Sequence, residues 1–146
     1  MIKYEILTPA ETIGLVQRDE VAEFLFNHLD EFGDKKEDIK KAIDYALDSG
    51  VTPGGYVVTA RDNGKVIGAV VMNRTGMAGY IPENILVYIA MHGDYRGQGI
   101  GKELMKKAID KADGNIALHV EPHNPAKILY EKLGFTNKYL EMRLNK

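Results

Sequence analysis

Apolar and polar positions along the 146-residue chain change period several times, and each change marks an element. Met1–Leu7 sets Ile2, Tyr4 and Ile6 against Lys3 and Glu5, the period of a strand, and Thr8-Pro9 ends it. Between Glu20 and Leu29 the period lengthens, with Val21, Phe24, Leu25 and Leu29 on one helical face. Gly33 breaks that helix. Asp34 is placed to cap a second one, striped by Ile39, Ala42, Ile43, Ala46 and Leu47 and followed by Gly50. After the connector Thr52-Pro53-Gly54-Gly55, the β-rich runs Tyr56–Ala60 and Val66–Met72 flank Asp62-Asn63-Gly64, and Asn-Gly is the strongest short hairpin signal. Arg74–Pro82 reads as a loop. Ile85–Met91 is apolar with little alternation, as expected of a central strand covered on both faces. Ile100–Asp113 reads as a helix carrying Ile100, Leu104, Ala108 and Ile109, with Gly114 beyond its end. Ile116–Val120 follows as a strand, Pro125–Leu133 as a helix, and Phe135 onward as one or two closing strands.

The order β-α-α-β-β-β-α-β-α-β predicts an α+β fold with an early hairpin and one late βαβ unit. A chain of 146 residues fits one domain spanning residues 1–146. With 45% hydrophobic and 27% charged residues, disordered, collagen-like and coiled-coil classes drop out. The absence of Cys excludes a disulfide scaffold, a thiolate metal site and a cysteine nucleophile. No apolar run approaches the roughly 18 residues of a membrane span, and the opening MIKYEILTPAE lacks an apolar signal core. The expectation is a cytoplasmic protein with no membrane partner. A pI near 6.1 also argues against nucleic acid. Charge is uneven: residues 1–50 carry 12 acids and 6 bases, a balance of −6, and residues 51–146 carry 9 acids and 13 bases, a balance of +4. The first part suits a cationic partner and the remainder a polyanion such as a nucleotide phosphate.

Residues 96–101 read RGQGIG, between the apolar strand and the helix after it. Such a junction offers free backbone N–H groups at the positive end of a helix dipole, and glycines let an anion approach the backbone. Spacing decides which anion. A Walker loop would need Gly at 96 and Ser or Thr at 103, where the chain has Arg96 and Glu103. The dinucleotide fingerprint, started at Gly97 or Gly99, puts Lys102 or Leu104 where its third glycine belongs.

What remains is Arg-x-x-Gly-x-Gly, here Arg96, Gly99 and Gly101, which resembles the pyrophosphate loop of the GNAT family of N-acetyltransferases. The likeness continues through IALHVEPHNPAKILYEKLGF, where Asn124, Ala126, Tyr130 and Gly134-Phe135 match that family's second signature. The two stretches cover about a third of the chain. The resemblance implies a central mixed, mostly antiparallel sheet, with parallel strands 4 and 5 splayed apart and helices on both faces. It implies acetyl-CoA as donor and a primary amine as acceptor, and it allows a homodimer. It assigns the pantetheine arm to the backbone of Ile89, Ala90 and Met91, and the pyrophosphate to the loop: Arg96 and Gly97 at its border, amides of Gln98, Gly99, Ile100, Gly101 and Lys102. Asn124 and Lys127 would complete the donor site.

By the same resemblance Tyr130 is the general acid, a phenol that stays protonated at neutral pH and can donate to a departing thiolate. Its helical spacing with Ala126, Leu129 and Leu133 equally fits a core aromatic. Asn124 followed by Pro125 also fits a helix cap. Glu83, thirteen residues before Arg96, is placed like the catalytic glutamate of the histone-acetylating branch and is the candidate base, with His119, Glu121 and His123 in reserve. His92 reads as structural. The spacing of His119, Glu121 and His123 matches no recognised metal-ligand pattern, and the transfer needs no metal. The resemblance implies direct attack by the amine in a ternary complex, and without Cys an acyl-cysteine intermediate is excluded. The acid-rich first part favours a cationic small-molecule or peptide amine, such as a polyamine, a lysine side chain or an aminoglycoside. The rival from another class is a non-catalytic acyl-CoA sensor or interaction module on the same fold.

Overall fold

The computed structural model describes residues 1–11, 13–48 and 50–146. Five strands form one sheet in chain order: β1 (Ile2–Leu7), β2 (Gly55–Asp62), β3 (Lys65–Arg74), β4 (Asn84–Met91) and β5 (Ile116–Leu118). The first three pairings are antiparallel and β4–β5 is parallel. The β2–β3 hairpin turns at Asn63 and Gly64, whose φ values of 52° and 79° are the positive pair that Asn-Gly tolerates.

Helices cover both faces. On one, α1 (Leu15–His28) and α2 (Lys36–Leu47) bury Val21, Leu25, Ile39 and Ile43 against Val57, Ala69 and Val71. On the other, α3 (Ile100–Lys111) and α4 (Ala126–Lys132) pack Leu104, Met105 and Tyr130 on Tyr56, Val58, Val70 and Met72. The alternation of β2 and β3 sends successive side chains to opposite cores. The Tyr56 hydroxyl donates to the Ala108 carbonyl at 2.5 Å and fixes α3 to the sheet. This is the mixed, mostly antiparallel sheet expected, with helices on both sides.

Three expectations need correction. α1 begins five residues before Glu20, because Leu15 and Val16, though apolar, are exposed and add nothing to the buried stripe. Asp34 does not cap α2, which starts after Lys35 without a side-chain cap; its carboxylate accepts from the Tyr88 hydroxyl instead. No closing strand follows Phe135. The tail keeps a β pattern, yet Tyr139, Leu140, Met142 and Leu144 are all exposed. β5, the edge such a strand would join, spans only Ile116–Leu118.

Candidate active site

The centre of the site is a gap in the sheet. β4 and β5 pair over only three positions, Asn84 with Ile116, Ile85 with Ala117 and Leu86 with Leu118, and β5 then ends. From Val87 onward that edge of β4 has no partner strand among the described residues. The parting coincides with a bulge, because β3 pairs Met72 with Leu86 and Val71 with Tyr88, leaving Val87 unmatched. The extra residue turns both Val87 and Tyr88 to the α1/α2 face, with Leu86 and Ile89 on the other. The His92 N–H donates to the Ile67 carbonyl at 2.8 Å. Alternation along the ladder then turns Ala90 toward β3 and aims the N–H and C=O groups of Ile89 and Met91 at the gap.

Beyond β4 the chain makes a short 3₁₀ turn over Gly93–Tyr95 and enters the glycine loop. Gly97 and Gly99 both have φ of 80°, a conformation that side-chain-bearing residues rarely adopt, and a Cβ on either would meet open space. Gly99 is the N-cap of α3 and offers no side-chain cap. Its carbonyl takes the Glu103 N–H at 3.1 Å, while among the described residues the N–H groups of Ile100, Gly101 and Lys102 have no partner. Met91, Arg96, Gly97, Gly99, Ile100, Gly101 and Lys102 line one open pocket of about 420 Å³, joined by Tyr95, Leu129 and Lys132. Free amides at a helix start, flanking cations and an unpaired strand edge fit an elongated ligand with amides at one end and phosphates at the other.

Tyr130 lies in the core under α4, 6% exposed, its ring edge-on to Phe135 with centroids 6.0 Å apart. Burial, with the Glu121 carboxylate nearby, pushes its pKa up to about 12. Among the described residues its hydroxyl has no hydrogen-bond partner. It is thus both a core aromatic and a protonated phenol with a proton to offer. Asn124 likewise fills two places: its Oδ1 accepts the Ala126 N–H at 2.9 Å at the start of α4, and its Nδ2 reaches Glu121 Oε1 at 3.2 Å, leaving one amide hydrogen free.

Residues 16–135 match the family described as Acetyltransferase (GNAT) family. The chain belongs to this family. It is 33% identical over 85 residues to N-alpha-acetyltransferase 30 of Schizosaccharomyces pombe, a match covering 55% of this chain and 57% of that protein, so the match spans little more than half the length of the relative. Among solved structures it resembles the ribosomal-protein-alanine N-acetyltransferase of Brucella melitensis biovar Abortus 2308, at TM-score 0.65 and 19% identity over 100% of both chains. It also resembles the aminoglycoside N-acetyltransferase AAC(6')-Iy in complex with CoA, at TM-score 0.71 and 13% identity over 100% of this chain and 95% of that one. At such identities the likeness is one of fold.

Within this GNAT domain four expected site residues have the following surroundings. Glu83 accepts on both oxygens, Oε1 from the Asn115 N–H at 2.7 Å and Oε2 from the Gly79 N–H at 2.9 Å. These backbone bonds hold its carboxyl below the usual range, and it precedes β4 at the end away from the glycine loop. Ala90 faces β3 rather than the gap. Lys127 is engaged by Glu131 at 3.0 Å along α4, and the lysine of that helix that lines the pocket is Lys132. The Gln98 side chain donates to the Asp94 carbonyl at 3.4 Å across the turn, and among the described residues its backbone N–H has no partner. Sequence reasoning missed Leu129 and Lys132, although their i, i+3 spacing puts both on one helical face. His92 is structural: its Nδ1 accepts the Asp94 N–H at 3.1 Å, and its ring lies between His28 and Tyr95. His119 is exposed, and His123 packs on Phe32 with ring centroids 5.3 Å apart.

Proposed function

We propose that this chain transfers the acetyl group of acetyl-CoA to a primary amine by direct attack in a ternary complex. The observation that carries the reading is the unpaired edge of β4 beside the glycine loop, two anchor points on one continuous path. In this reading the outward backbone groups of Ile89 and Met91 pair with the pantetheine amides. The amides at the start of α3, with Arg96, Lys102 and Lys132, hold the pyrophosphate. Bound there, acetyl-CoA supplies an activated thioester. The chain's own part is to place donors around it. A backbone N–H at the open edge stabilises charge developing on the carbonyl oxygen, an effect of about 2.7–4 kcal/mol for such a donor. Tyr130 keeps its proton at every physiological pH. With a pKa near 12, against about 8.5 for an ordinary thiol, it acts by donating a hydrogen bond to a developing thiolate.

A protonated alkylamine must lose a proton before attack, and with Glu83 occupied that task falls to the β5–α4 connection. His119 and Glu121 lie there, and the Glu121 charge already reaches Tyr130. The acceptor would approach from the α1/α2 face, past the α1–α2 connection. The relatives' names, which specify protein N termini and aminoglycosides, support an amine as acceptor. The test is thiol release from acetyl-CoA with three amines: a short peptide with a free N terminus, spermidine and kanamycin. Release that depends on at least one amine is expected. Release with none of them, from protein that binds acetyl-CoA, would contradict transfer and leave a binding module.

A further inference from the structure

We infer that Tyr88 is a positioning residue for the acceptor, because its hydroxyl latches the α1–α2 connection, Leu29–Lys35, across the gap in the sheet. The inference rests on the acceptor route proposed above. This connection straps both sides of the opening. Toward the glycine loop, Asp30 Oδ2 lies 3.8 Å from Arg96 Nη2. Toward the β5–α4 connection, Phe32 packs on the His123 ring, and Glu31 Oε2 lies 3.9 Å from His123 Nε2. Between them, Asp34 Oδ2 accepts the Tyr88 hydroxyl at 2.5 Å.

The three attachments differ in strength. Arg96, Asp30, His123 and Glu31 all have side chains more than half exposed, and polar contacts between such exposed groups contribute little in water. Tyr88 is 8% exposed, its ring belongs to the core beneath α1 and α2, and its hydroxyl makes a short bond to a carboxylate. That bond also raises the Tyr88 pKa, adding to the effect of burial. Beyond Leu29, which packs on the same core at its start, the strap is therefore held from a rigid base at Asp34. The bulge at Val87 supplies the direction: without the extra residue, Tyr88 would fall on the α3 face. One irregularity thus lies where the β4 edge becomes free and aims the phenol that sets the strap on the acceptor side. Asp34 serves the strap rather than the α2 cap predicted for it.

Tyr88→Phe removes only the hydroxyl. Two measurements test the inference: hydrogen exchange of the strap amides, including those of Phe32 and Gly33, in the ligand-free protein, and steady-state kinetics with whichever panel amine turns over fastest. The expected result is strap exchange about tenfold faster and an amine KM about tenfold higher. kcat should stay within about twofold, and the thermal shift given by acetyl-CoA should be unchanged. Asp34→Ala should reproduce this, the double variant should be no worse than either single one, and Asp34→Asn, which can still accept the bond, should restore most of it. Unchanged strap exchange in Tyr88→Phe overturns the latch. Faster exchange with unchanged amine KM, or a loss confined to kcat, overturns the positioning role. If no panel amine is acetylated, the transfer reading fails and the positioning role with it, while the exchange result still decides whether Tyr88 holds the strap.

Discussion

At the scale of single residues, chemistry follows what each polar atom is already bonded to. Glu83 has both oxygens on backbone amides, which favours a structural role in the proposed reading. Its carboxyl titrates below the ordinary value, so its contribution to stability is present above the unfolded pKa of about 4.3 and is lost as pH falls through the folded value. Glu83→Gln should therefore melt lower than the parent at pH 7, with the difference shrinking below about pH 4. It should leave the acidic limb of the pH–rate profile in place; a displaced limb would restore Glu83 as base. Tyr130 is the opposite case, a buried phenol whose hydroxyl is uncommitted. Tyr130→Phe should lower turnover by about 10²–10⁴ while leaving the thermal shift with acetyl-CoA nearly unchanged. Undiminished turnover would remove Tyr130 from the mechanism and leave it a core aromatic.

At the scale of elements, the glycine loop works because two of its residues are left-handed. Gly99→Ala places a side chain at φ of 80°, where space is free and the backbone is not, at a cost of roughly 1–2 kcal/mol. Denaturant unfolding should show that loss without ligand, and the shift given by acetyl-CoA should shrink as the loop distorts. An unaltered shift would mean that the α3 amides do not hold the phosphates. This loop was legible in the sequence because glycine spacing records backbone geometry directly. The Asn63-Gly64 hairpin and the helical stripe of α2 were legible for similar reasons. The bulge at Val87 was not: it is a mismatch between two strands, and neither strand alone carries its mark. The neighbouring misreadings share that cause. Ala90 was grouped with Ile89 and Met91 because ladder direction is set by β3, and Asp34 was read as a local cap because its partner, Tyr88, lies 54 residues away. Which face of α4 meets the loop, and so whether Lys127 or Lys132 reaches it, is likewise a tertiary matter.

At the scale of the molecule, ion pairs redistribute the acid excess of the first 50 residues. Arg18 holds Asp44 and Asp48, Lys40 holds Asp19, Lys36 holds Glu23, and Arg61 lies between Glu5 and Glu20. Asp30, Glu31 and Asp34 lie on the strap at the proposed acceptor entrance, Asp30 beside Arg96, Glu31 beside His123 and Asp34 on the Tyr88 hydroxyl. If the acceptor is cationic, its KM should rise as ionic strength goes from about 0.01 to 0.15 M, where the screening length falls from about 30 to 8 Å. A salt-independent KM would point to a neutral acceptor. Both the acceptor route and the chemistry presuppose that donor binds at the gap, so the decisive measurement is a thermal melt with and without acetyl-CoA. At a hundredfold excess over Kd, binding adds about 2.7 kcal/mol, which for a domain of this size raises Tm by several degrees. A rise of that order, reduced in Gly99→Ala, is the predicted result; no rise at millimolar acetyl-CoA would contradict the account at its centre.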